Sequence, residues 1–163
     1  MKSTLLLFLA VFSLHAQNHH FKIENKELFW QMTFKTSETD IMTLIDKKHD
    51  KINVDKKNNT GKGIHLINNC RKGLLDDLGT PLNFDFTVQI IDTTYTVLMT
   101  NLIYDVDMED EGPTNYYSLK KIIVTNDATS FRKPKNIQEF IECLDLYFID
   151  LFKIANSETL TTN

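Results

Sequence analysis

Leu28, Trp30, Met32 and Phe34 alternate with Phe29, Gln31 and Thr33. Successive side chains of a strand point to opposite faces, so this two-residue period predicts a strand with one face in a core. The alternation is clearer further on, where Phe84, Phe86, Val88 and Ile90 oppose Asp85, Thr87 and Gln89, and Tyr95, Val97 and Met99 follow after Asp92 and Thr93. Two strands of a β-hairpin fit this pattern, the second running on to Tyr104 ahead of an acidic loop, 105–113. Shorter β-prone runs at 52–55 and 64–67 flank Asn58, Asn59, Thr60, Gly61 and Gly63, residues suited to a hairpin turn. Tyr117, Leu119 and Ile122 to Val124 predict one more strand, interrupted by Lys120 and Lys121.

Helical spacing occurs twice. Ser37 with Asp40 three residues on predicts a helix start, and Ile41, Leu44 and Ile45 recur at helical period until about Lys48. In the last third, Asn136 and Glu139 read as a capping box behind Pro134, and Ile137, Phe140, Ile141, Leu144, Phe148, Leu151 and Phe152 make one broad apolar face. Leu146 and Ile149 are placed on the opposite side, among Glu139, Glu142 and Asp145. The stretch 69–82, punctuated by Gly73, Gly79 and Pro81, reads as a loop.

The first residues follow a different rule. Lys2 precedes an apolar run from Leu5 to Leu14, broken by Ser13 and closing on His15, Ala16 and Gln17, the layout of an export signal cleaved after Ala16. The run is shorter than the ~20 residues that cross a hydrocarbon core, so no transmembrane segment is expected. No cysteine precedes Cys70, which leaves no residue for a lipid anchor near the cleavage point. The predicted organisation is signal peptide 1–16, flexible segment 17–26, a single α+β domain 27–154 and a polar tail 155–163. Localisation follows as exported, periplasmic or extracellular.

Loss of Lys2 with the signal takes the formal charge from −4 to −5. Lysines between 47 and 62 alternate with Asp46, Asp50 and Asp55, so no basic face of the kind nucleic acid requires is present. Cys70 and Cys143 would sit in an oxidising compartment and could pair there, but sequence does not place their Cα atoms together, so free, partly buried thiols are the preferred expectation and a bridge stays open.

The element order strand, helix, four or five antiparallel strands, long helix describes a curved antiparallel sheet of five or six strands with two helices on one face. This order resembles one half of the TATA-binding-protein fold, and with it a family of exported bacterial proteins of unknown function that share the fold. The matching features are the first strand around Trp30, the hairpin 84–99 with Tyr95 just past its turn, and the export signal ending before Gln17. The resemblance implies a TBP-like (helix-grip) fold and an export route. It implies neither an activity nor DNA binding.

Candidate chemistry is sparse. Asp105, Asp107, Glu109, Asp110 and Glu111 cluster oxygen ligands suited to a hard cation, though not at EF-hand spacing. Cleavage after Ala16 would leave His19 third from a free amine, a nitrogen set that suits Cu(II) or Ni(II). Cys70 with His49 or His65 as base would be a thiol hydrolase, but nothing in the spacing pairs them, and no catalytic residue is assigned. Motifs for serine hydrolases, phosphate loops, dinucleotides and zinc proteases are absent, so no cofactor is expected and the reading leans away from an enzyme. A non-catalytic binding or interaction protein of the cell envelope is the leading expectation, with Leu146 and Ile149 as a candidate interface to a protein partner or a second copy of the chain. A carrier of a small apolar molecule, in a pocket lined by Trp30, Phe84, Phe86, Tyr95 and Phe148, is the alternative.

Overall fold

The computed structural model describes residues 19–70, 81–106 and 115–160. In chain order the elements are β1 (Phe21–Glu24), β2 (Glu27–Lys35), α1 (Ile41–Lys48), β3 (Ile52–Asp55), β4 (Thr60–Leu66), β5 (Leu82–Ile91), β6 (Thr94–Val106), β7 (Asn115–Ser118), α2 (Leu119–Ile123), α3 (Lys135–Phe152) and β8 (Glu158–Leu160). All the strands join one open antiparallel sheet in the spatial order β1-β2-β6-β5-β4-β3, with β8 also on β2 and β7 also on β6. This is the expected α+β architecture, enlarged to eight strands and three helices among the described residues.

The additions are short elements whose pairing is set elsewhere in the chain. β1 occupies part of the segment expected to be flexible. Asn25 and Lys26 both take positive φ (50° and 65°), the left-handed pair of a tight hairpin turn, and return the chain as β2 with Phe21 opposite Trp30. β8 lies in the expected polar tail. The Tyr95 hydroxyl donates to the Phe152 carbonyl (2.9 Å) and accepts from the Ile154 amide (3.3 Å), while Ser157 Oγ donates to the Ile154 carbonyl (2.7 Å). Those bonds turn the chain out of α3 and lay it along β2. The strand expected over 117–124 divides: β7 ends at Ser118, and Leu119 and Ile123, four apart, become the buried side of α2.

The inner face of the sheet carries Trp30, Met32, Phe34, Phe84, Phe86, Val88, Tyr95, Val97 and Met99, all buried as their alternation requires. α3 lies on this face, with the ring of Phe148 5.6 Å from Trp30 and 5.9 Å from Phe84, and Phe152 5.0 Å from Phe86. α1 adds Ile41, Met42 and Ile45 to the same core. Its N-cap is Asp40, whose carboxylate accepts the Thr43 amide, and its last residue, Lys48, places Nζ on the carbonyls of Asp150 and Lys153. A cation is favourable at the negative end of a helix, so the end of α1 caps the end of α3. The capping box expected at Asn136 and Glu139 is not formed: α3 starts two residues earlier, with Pro134 as its N-cap, and Gln138 reaches back to the Arg132 carbonyl.

Gly61 and Gly63 are not turn residues. They lie in β4 directly opposite Phe86 and Phe84, and each aromatic ring lies where the glycine's Cβ would stand. A Cβ on Gly63 would also come within 2.6 Å of Leu66 Cδ1, and one on Gly61 within 2.6 Å of the Asn53 carbonyl oxygen. Gly63→Ala is therefore expected to cost about 2 kcal/mol through overpacking. A urea midpoint unchanged from the parent protein would show that the Phe84 ring moves aside freely.

Two bulges interrupt the ladder at one level. On β4 three steps from Gly63 to Leu66 match two on β5, with His65 at φ 54°, and on β6 three steps from Thr100 to Ile103 match two from Asp85 to Asn83, with Asn101 at φ 52°. A bulge shifts the side-chain phase by one residue. Hence Met99 and Leu102, an odd and an even position, both point into the core.

Candidate functional site

A carboxylate is buried under the N-terminal strand. Asp145 follows Ile141 by four residues and precedes Phe148 by three, so the helical period puts it on the apolar face of α3, and its exposure is 3%. Its Oδ1 accepts from Trp30 Nε1 (2.7 Å) and from the His20 backbone amide (2.8 Å), and His20 Nδ1 lies 3.0 Å from Oδ2. Burial pushes the carboxyl upward, but the bonds from His20 and Trp30 outweigh it and hold Asp145 below the usual carboxylate range.

His19, beside this cluster, packs edge-on against Phe131 (4.7 Å between centroids) and Phe21 (5.9 Å). Its Nδ1 is buried without a hydrogen-bond partner, and burial lowers its pKa below the ordinary 6.5. The arrangement is a lock. Three donors converge on one carboxylate and tie the start of β1 to β2 and α3.

The second candidate is the outer face of the sheet, which no helix covers among the described residues. It presents Gln31, Thr33, Thr87, Thr96 and Thr100 around the half-buried Phe29 and Leu98, with Thr33 and Thr96 joined through their hydroxyls at 2.8 Å. Toward β4 the bulges gather polar groups. Asn83 Oδ1 accepts the His65 amide (2.7 Å), and Asp85 accepts from Asn101 Nδ2 (2.5 Å) and meets Lys62 Nζ at 3.5 Å. Two shallow depressions of about 570 and 370 Å³ meet at Lys62 and Asp85.

The residues singled out in the sequence fall as follows. Trp30, Phe84, Phe86, Tyr95 and Phe148 are brought together, but as contiguous buried side chains of the core: Tyr95 stacks on Phe34 at 4.9 Å and the other four are in ring contact with α3 or belong to it. Leu146 is 67% exposed, whereas Ile149 is partly buried against the core. Asp105 contributes backbone to the end of β6, and Asp107, Glu109, Asp110 and Glu111 lie outside the described residues. The Cys70 thiol is not available as a nucleophile, because Cys70 and Cys143 form a disulfide with Cα atoms 5.4 Å apart. The expected free thiols are thus corrected: the chain leaving β4 passes directly over the middle of α3. Asp145, missed as a site residue and placed on the polar side of its helix, had a legible signal in its spacing from Ile141 and Phe148.

Fold and site together define an α+β protein built on an open antiparallel sheet, with helices on one face and the other face free of them among the described residues. No family model matches the chain, and no curated protein matches it. Two solved structures are similar to it. One is a TBP-like protein from Parabacteroides distasonis, 17% identical, with 80% of this chain and 91% of that chain covered and a TM-score of 0.48. The other is a DUF4468 family protein from Bacteroides ovatus, 13% identical, with 82% and 86% covered and a TM-score of 0.48. No helix among the described residues is long and apolar enough to cross a membrane.

Proposed function

We propose that this chain is an exported, non-catalytic binding protein of the cell envelope that meets its partner with the outer face of the sheet. The observation that carries the reading is the uncovered face itself, where bulges at His65 and Asn101 flank Asn83 and Asp85 and collect polar groups around two depressions. Bulges re-aim side chains, and left-handed non-glycine residues hold a conformation that most sequence positions avoid. Export is supported by the signal-like residues before Gln17 and by the Cys70–Cys143 bond, which persists in oxidising compartments. The lock at Asp145 supports a structural role for the one buried ionisable cluster among the described residues.

Photo-crosslinking in the source cell tests both parts. A crosslinking residue at Thr96, on the outer face, is expected to give a discrete adduct in the envelope fraction, carried by a chain whose intact mass lacks residues 1–16. The same residue at Glu139, on α3, is expected to give none. A full-length cytosolic chain would overturn export, and adducts from Glu139 alone would overturn the choice of face.

A further inference from the structure

β1 stands at one end of the sheet order, and its ladder with β2 fixes which of its backbone groups face outward. The Gln31 amide donates to the His20 carbonyl, and Lys22 and Glu24 stand opposite Phe29 and Glu27, so by the alternation of an antiparallel ladder Lys22 and Glu24 bond to β2. Phe21 and Ile23 therefore turn their amide and carbonyl groups to the open side. Their side chains face the core, whereas Lys22 and Glu24 are exposed on the outer face. Glu24 lies directly across from Glu27, a like-charged pair, while Lys120 Nζ sits 3.3 Å from Glu27 and Lys22 Nζ reaches the Gln31 side-chain oxygen at 3.4 Å.

We propose that β1 pairs antiparallel with β1 of a second copy of the chain, about a two-fold axis through Ile23, so that the two sheets become one. Only registers centred on a residue match outward-facing groups to outward-facing groups. Centred on Lys22 or on Glu24, they set like charges face to face, and centred on Phe21 they leave both residues without an opposite charge. The register through Ile23 sets Lys22 of each copy against Glu24 of the other. These are non-hydrogen-bonded pairs, in which side chains come closest, so four charges alternate in sign around the axis and each Lys22 joins a Glu24 and Glu27 pair. On the inner face the half-buried Ile23 side chains meet and extend the core.

At the opposite edge, β3, the matching charges are spent within the chain: the Asp55 carboxylate accepts the Lys57 and Asn58 amides, and Lys56 is paired with Asp46. The same surface residue meets its complement in both copies at β1, as a closed two-fold contact requires. A strand of four residues makes a small contact, so the association is concentration-dependent. The inference goes beyond the binding reading and does not depend on it, because a monomer could equally present the outer face.

Sedimentation velocity over a range of protein concentrations is the test. The parent protein is expected to shift from monomer to dimer as concentration rises. Lys22→Glu and Glu24→Lys, both at exposed positions, are each expected to weaken the dimer by about 30-fold, since each turns two attractive pairs into repulsive ones. Mixing the two variants in equal amounts is expected to restore it, because every pair in the mixed dimer is again of opposite sign, and the double variant Lys22→Glu, Glu24→Lys is expected to dimerise like the parent. A parent protein that stays monomeric throughout overturns the proposal. A dimer indifferent to both reversals overturns it too, as does weakening in the single variants that neither mixing nor the double variant reverses.

Discussion

Reducing the Cys70–Cys143 bond is expected to destabilise the protein by about 4 kcal/mol. The bond closes a loop spanning 73 residues, which contains β5, β6, β7, α2 and the first half of α3. Cross-linking acts mainly on the unfolded chain, and the entropy it removes grows with the logarithm of loop length. The native contacts of β4 and α3 need not change for the effect to appear. Urea unfolding of the oxidised protein and of the Cys70→Ser, Cys143→Ser double variant measures it, and a midpoint lower by roughly 2 M is expected in the variant. Midpoints that agree within 0.5 M would mean that the reduced, unfolded chain already holds these segments together.

Asp145→Ala is expected to cost about 3 kcal/mol, because it strands the buried Trp30 indole N–H together with the backbone amide and Nδ1 of His20. Asp145 also gives a signature in acid. Its folded pKa lies below the ordinary 3.8, so the unfolded chain binds the proton first. The stability it contributes is fully present above about pH 4 and drains away as pH falls through the folded value. Asp145→Asn is expected to lose that acid-dependent component while the rest of the pH profile persists. Urea midpoints at pH 7, 4 and 2.5 separate the two. An Asn variant with the parent's full acid slope would show that another carboxylate is responsible.

The long periodic elements were legible because local spacing determines them. The alternation around Trp30, the hairpin through Asp92 and Thr93, and the apolar stripe from Ile137 to Phe152 each repeat often enough to fix a period and a face. β1 and β8, at four and three residues, are too short to show a period and owe their existence to the edge of β2. The bulges left no trace in composition, since His65 and Asn101 are not glycine and their left-handed backbones follow from how β5 is flanked. Pairing of Cys70 with Cys143 depends on where the chain goes after β4, a property of the whole fold. Of the candidate site, Trp30 was recognised as a core residue. Its bond to Asp145 was not, because reading Asp145 with Glu139 and Glu142 grouped it by charge when its position relative to Ile141 and Phe148 was the better guide.

β1 and β8 pair with the same side of β2 and run in the same direction. Leu160 stands opposite Thr33 and Phe21 opposite Trp30, and the Gln31 amide donates to the His20 carbonyl at 3.1 Å, so the two runs approach each other along this edge near Met32. The two therefore line one edge of β2, β8 against Thr33 to Lys35 and β1 against Glu27 to Trp30. Linking residue 160 to residue 19 through a short connector in place of 161–163 and 1–18, and opening the chain between Asp92 and Thr93, is expected to give a circular permutant that keeps both ladders on β2.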